Sequence, residues 1–140
     1  MTLLWVRDLS LTSEGAYTSN SKGYQYAREK VAEFIKKRDN VSHCDAKDIY
    51  LTNGAGEGVK LVFNMLIRGP SDAIMIPIPQ YPLYSALITL FGGTQVSYYL
   101  DETQNWALET SDVKKKIESA KKAGINIRSI VVINPGNPTG

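Results

Sequence analysis

The sequence predicts an α/β domain built on a largely parallel sheet with flanking helices, and three observations predict it. Stretches with apolar residues at helical spacing alternate with short, unbroken apolar runs. Glycine, proline or asparagine punctuates most of the changes between the two patterns. The oddest local sequences each follow a predicted strand, at the edge where parallel sheets gather their ligands.

Taken in order, Tyr24, Ala27, Val31, Phe34 and Ile35 mark one face of a helix over 23–38, and Asp39-Asn40 ends it. Residues 48–52 read as a short strand closed by the turn signal Asn53-Gly54. Val59, Val62, Phe63, Leu66 and Ile67 form the stripe of a second helix, stopped by Gly69-Pro70. The apolar run 73–78 suits a strand buried on both faces. Pro77 and Pro79 sit at its far end, where a ladder donor can be spared. A helix over 82–91 and Gly92-Gly93 follow, then a strand over 95–100. Residues 111–123 form a lysine-rich helix whose buried face is Val113, Ile117 and Ala120, with the lysines on its solvated face. A last strand, 129–133, runs into Asn134-Pro135-Gly136-Asn137-Pro138-Thr139-Gly140.

Composition narrows the classes. With 140 residues, 43% of them apolar and 21% charged, the chain has one domain's length and enough apolar content for a core. Sixteen basic and fourteen acidic residues leave a net charge of +2, which gives no support to nucleic-acid or anionic-membrane binding. The single cysteine, Cys44, excludes an internal disulfide and favours a reducing compartment. The apolar run Leu3-Leu4-Trp5-Val6 is cut by Arg7-Asp8, too short for a signal-peptide core. No stretch approaches the roughly 18–20 apolar residues of a membrane span. The expected protein is soluble and cytoplasmic.

Three segments carry the candidate chemistry. Gly54-Ala55-Gly56-Glu57-Gly58 opens a helix after a predicted strand, so its free N–H groups could receive a phosphate; a tight turn needing backbone room is the alternative. Nucleotide fingerprints fail here, because Val59 stands where either a lysine or a glycine would be needed. Glu57 opposes a phosphate unless it points outward or accepts backbone N–H bonds. Tyr81, between Pro79 and Pro82, is a stiffly held ring suited to stacking on a flat heteroaromatic ligand, or to plain packing; Tyr84 is expected to pack. Asn137, on a loop with preset φ angles, could donate its amide N–H to a phenolate or carboxylate. His43 and Cys44 have no cluster of ligating partners in the sequence, so no metal site is expected, and Trp5 and Trp106 are read as packing residues.

Together these strings resemble the class I and II aminotransferases of the fold type I pyridoxal-phosphate enzymes. Pro-Ile-Pro-Gln-Tyr-Pro-Leu-Tyr-Ser-Ala at 77–86 is similar to the alanine aminotransferases among them. So are Tyr98-Tyr99-Leu100-Asp101-Glu102, the segment 134–140, and Gly15-Ala16-Tyr17-Thr18 with Gly23 and Arg28. The resemblance implies that 15–140 is the N-terminal part of the large, cofactor-binding domain, incomplete at its C-terminus, with an atypical segment over 1–14. It implies pyridoxal 5′-phosphate as cofactor, with Gly54, Ala55, Gly56 and Glu57 at its phosphate, Tyr81 on its ring and Asn137 at its phenolic oxygen beside the substrate carboxylate. Tyr17 would reach the phosphate in a partner subunit's site, since the family is expected to work as a homodimer.

The implied reaction moves an amino group between L-alanine and 2-oxoglutarate, giving pyruvate and L-glutamate. In that family the acid paired with the pyridine nitrogen, the lysine that anchors the cofactor and the arginine that grips the substrate lie beyond the 134–140 segment. No catalytic residue is therefore expected within this chain, which alone would be inactive. Lys60 reads as a surface residue. A second reading is a non-catalytic truncated product that binds cofactor or joins subunits. The resemblance also admits a mitochondrial-matrix form of a full-length protein. Gly56 and Glu57 depart from the pattern, in which a small residue such as serine and then Asp or Gln are commoner.

Overall fold

The computed structural model describes residues 21–140. They divide between Thr52 and Asn53 into two compact units. Tyr17 and the atypical segment 1–14, with Trp5 in it, lie outside the described residues.

In the first unit, helix α1 spans Gln25–Asp39 and ends at Asn40, which takes the left-handed conformation (φ 49°) that asparagine tolerates better than most residues. Lys36, Lys37 and Arg38 occupy its last turn, where cations suit the helix dipole. The expected apolar face is only partly buried: Phe34 is exposed, while Arg28 and Ala32 are the buried residues. Arg28 can be buried because Gly23 O accepts from its Nε at 3.0 Å and Ala46 O from its Nη1 at 2.7 Å. A one-turn 3₁₀ helix follows at Ala46–Asp48, capped by the Asp45 carboxylate on the Lys47 N–H. The strand expected over 48–52 does not form. A strand exists only by pairing, and here the Leu51 N–H is taken by Lys22 O at 2.9 Å in a loop contact rather than a ladder.

The second unit starts with α2 (Ala55–Leu66) and β1 (Asp72–Ile78). Next come α3 (Leu83–Leu90), β2 (Thr94–Asp101) and the short β3 (Ala107–Leu108). It ends with α4 (Thr110–Lys122) and β4 (Asn126–Ile130). The sheet order is β3-β2-β1-β4, with β1 parallel to both β2 and β4 and β3 antiparallel to β2. β1 is thus central, and residues 73–76 are wholly buried, as the unbroken apolar run predicts. Ile74 and Ile76 pack with Phe63, Ile67, Leu87 and Ile88 into the core, joined at its margin by Tyr84. Tyr84 is accordingly a packing residue, its ring 6.4 Å from that of Phe63. Val62 and Ile117, expected inside, are exposed. The antiparallel β3, which turns the edge of the sheet mixed, has only two residues and left no readable periodicity.

β4 begins three residues earlier than the apolar run suggests, because a polar network fixes its start. Asn126 N–H donates to Ser71 O at 2.7 Å, and its side chain approaches the buried Asp72 carboxylate at 3.3 Å. The β1–β4 ladder stops at Met75↔Ile130, and Pro77 explains it. Val131 N–H reaches Met75 O at 2.8 Å, so the next bond in a parallel ladder would run from residue 77 to Val131 O. Proline has no N–H to give. The buried Tyr98, in register with Pro77 on β2, donates its hydroxyl to Val131 O at 2.6 Å instead. Burial raises the pKa of that hydroxyl, which keeps it a donor.

Candidate functional site

Because β1, β2 and β4 are parallel, their carboxyl ends share one edge of the sheet. β1 leads there into Pro79-Gln80-Tyr81-Pro82, and β4 into the loop 131–140. The structure therefore sets Tyr81 and Asn137 on segments that leave adjacent strands. Tyr81 is 52% exposed and Asn137 is exposed, so both are open to a ligand.

The turn before α2 meets the same region. Gly54, the residue preceding the helix, has φ +89°, a conformation that side chains resist, and a Cβ built on it would meet nothing within 4 Å. A Cβ on Gly56 would touch only Leu83 Cδ2, at 3.7 Å, which places the turn against the first residue of α3, two positions after Tyr81. The first-turn N–H groups of Ala55, Gly56 and Glu57 have no carbonyl one turn back to bond. An open, unencumbered helix start of this kind fits a phosphate. Glu57 does not spoil it by pointing freely into the turn: its carboxylate accepts the Asn53 N–H at 2.8 Å, as a first-turn acid folded back on the backbone.

The 134–140 loop is closed by the Gly140 N–H on Gly136 O at 2.8 Å. A side chain at 136 would run into the Thr139 hydroxyl, which accounts for the glycine between the two Asn-Pro steps. On its far side the loop borders a cavity of about 320 Å³ shared with Pro77, Tyr98, Trp106 and the β2–β3 hairpin. Trp106 and its neighbour Asn105 both have positive φ, 60° and 56°, in the hairpin turn. That cavity includes neither Tyr81 nor Asn137 nor the 54–57 turn.

Sequence reasoning missed Gln80, Ser85 and Tyr98. Gln80 Nε2 donates to Ser85 Oγ at 3.1 Å, and Ser85 Oγ donates to Pro82 O at 3.0 Å. The readable signal for Tyr98 was Pro77 itself, since a proline in a central strand leaves a carbonyl to be satisfied by something else. Lys60 is exposed, as expected of a surface residue on α2. Among the described residues no helix is long and apolar enough to cross a membrane.

The family described as Aminotransferase class I and II matches residues 6–140. Glutamate–glyoxylate aminotransferase 1 of Arabidopsis thaliana is 52% identical over 134 residues, covering 94% of this chain and 27% of that protein. Alanine aminotransferase 2 of Panicum miliaceum is 53% identical over 126 residues, covering 90% of this chain and 26% of its own length. A solved alanine aminotransferase from Pyrococcus furiosus superposes with a TM-score of 0.77 at 28% identity, over 99% of this chain and 33% of that one. The chain thus spans about a quarter of the length of these curated relatives.

Proposed function

The chain belongs to the class I and II aminotransferases, and on that premise we propose that it contributes the N-terminal part of a cofactor-binding domain to a pyridoxal-phosphate-dependent transaminase. The reaction is amino transfer between L-alanine and 2-oxoglutarate, giving pyruvate and L-glutamate. What supports this reading is that an exposed ring and an exposed amide lie on segments leaving the carboxyl ends of adjacent parallel strands, with a glycine-opened helix start next to Leu83, two residues after the ring.

The bound cofactor supplies an electron sink for the substrate's α-carbon. The residues here hold and orient it. The N–H groups of Ala55, Gly56 and Glu57 receive the phosphate at the positive end of α2, behind the φ +89° turn at Gly54. The Tyr81 ring covers one face of the pyridine and excludes water from it. The Asn137 amide donates to the phenolic oxygen and lies beside the substrate carboxylate. Tyr17 is assigned to the phosphate of a partner subunit's site in a homodimer. None of these groups supplies the covalent anchor, so the 140 residues alone are proposed not to catalyse. Both the cytoplasm and the mitochondrial matrix are compatible with this role.

Two measurements test it. Titrating the full chain with pyridoxal 5′-phosphate should give saturable binding, weakened about threefold to tenfold by Tyr81→Ala; equal affinity for the variant would remove the stacking role. The transaminase to which this chain is proposed to contribute, isolated from its source, should form pyruvate from L-alanine faster with 2-oxoglutarate than with glyoxylate, and the reverse order would replace the acceptor.

A further inference from the structure

We propose that Gln80 and Ser85 are positioning residues that set the Tyr81 ring against the cofactor. The inference rests on the stacking role given to Tyr81 above. Pro79 and Pro82 fix φ on either side of the pair 80–81, so the ring's direction hangs on the few dihedrals left between them. One side-chain contact restrains those dihedrals. The Gln80 amide reaches five residues on to Ser85 in the first turn of α3, donating at 3.1 Å. The Ser85 hydroxyl is itself oriented by donating to Pro82 O at 3.0 Å, which turns a lone pair toward Gln80. Tyr81 is thereby the apex of a loop whose two neighbours, 80 and 82, are both tied to one hydroxyl on a helix.

The other end of the Gln80 amide shows what the residue is for. Its Oε1 is buried and has no hydrogen-bond partner among the described residues. With the Ser85 hydroxyl donating to Pro82 O, the amide nitrogen and not the oxygen is the end that faces Ser85. An unmatched buried acceptor is destabilising, and an apolar side chain of the same length would avoid it. Stability therefore does not explain a glutamine at 80, whereas its N–H to Ser85 does. Gln80 and Ser85 act through Tyr81 and need touch neither cofactor nor substrate.

The test uses Gln80→Met, Ser85→Ala and Ser85→Thr in the full chain, read by thermal unfolding, pyridoxal 5′-phosphate affinity and the circular dichroism induced in the cofactor's absorption band. Gln80→Met should unfold at the same temperature as the wild type or higher, whereas Ser85→Ala, which takes the acceptor from Gln80 Nε2, should unfold somewhat lower. Both should bind cofactor about threefold to tenfold more weakly, with a smaller induced band, and Ser85→Thr should restore both. In a Tyr81→Ala background the same changes should have no further effect. Unchanged affinity and dichroism in Gln80→Met, or an undiminished loss without Tyr81, would overturn the inference while leaving the stacking role in place. A wild-type chain that takes up no cofactor would overturn the functional reading and this inference with it.

Discussion

Tyr98→Phe isolates one hydroxyl whose job follows from a missing backbone donor. The ring stays, so the packing of a side chain that is 1% exposed is untouched. What disappears is the 2.6 Å bond to Val131 O, the carbonyl that Pro77 cannot serve. Losing a hydrogen bond and orphaning a carbonyl costs about 1–3 kcal/mol. At roughly 3 °C per kcal/mol for a chain of this length, unfolding should fall by about 3–9 °C. The decisive assay is a double-mutant cycle with Pro77→Val, which supplies an N–H where the parallel ladder expects one. In that background Tyr98→Phe should cost less than about 0.5 kcal/mol, because the carbonyl has another donor. The cycle subtracts whatever Pro77→Val does by itself. An equal cost of Tyr98→Phe in both backgrounds would refute the idea that the hydroxyl replaces the ladder bond.

Two further outcomes follow from charged groups. The Asp72 carboxylate is held below the usual value for an aspartate, first by the Arg68 side chain donating at 3.2 Å and further by the Arg68 N–H and the nearby Arg128, against the opposing effect of burial. A depressed native pKa contributes stability above the unfolded value of about 3.9 that is lost as the pH falls through the lower native value. Asp72→Asn should therefore be less stable at neutral pH and lose less on acidification, and parallel acid-melting curves for the two proteins would contradict this. Glu57→Gln keeps an acceptor for the Asn53 N–H while removing a negative charge from the turn assigned to the phosphate. Inorganic phosphate and pyridoxal 5′-phosphate should both bind the variant more tightly, by about twofold to tenfold at low salt and less at high salt, while unphosphorylated pyridoxal is unaffected; an equal gain for pyridoxal would point away from the phosphate.

The alternation of helix and strand was legible because a helical stripe, as in α2, reads differently from an unbroken apolar run bounded by turn residues, as in β1. The placement of the 79–82 and 134–140 segments at one sheet edge followed from the same rule, since parallel strands send their carboxyl ends to one side. Residues 48–52 misled because strand-like composition says nothing about whether a partner edge is present. The start of β4 was hidden for a related reason: Asn126 is set by Asp72, 54 residues away, and no local pattern encodes that bond. The burial of Arg28 was not readable from helical spacing, since it depends on the carbonyls of Gly23 and Ala46 that accept from it. Gln80 was equally silent, because a glutamine beside a tyrosine reads as solvated until its partner at Ser85 is known.

The prolines join these cases. Each of the two carboxyl-edge segments is stiffened by proline, which fixes φ and removes a donor from the backbone. Stiffness without backbone donors leaves a segment with a fixed local shape but few bonds to hold it to the rest of the molecule. Here those bonds come from side chains, Tyr98 to Val131 where Pro77 is silent and Ser85 to Gln80 and Pro82 around Tyr81, while the Gly140 N–H on Gly136 O closes the 134–140 loop on itself. A ring or an amide meant to meet a flat ligand is useful only at a defined height and tilt, and errors of about an ångström are costly at such sites. Proline removes the freedom within the segment, and the side-chain bonds remove the freedom of the segment as a whole. Loss of either bond to a side chain, at Tyr98 or at Gln80, should consequently loosen the ligand-facing loops before it melts the core, which rests on Ile74, Ile76, Phe63 and Ile88.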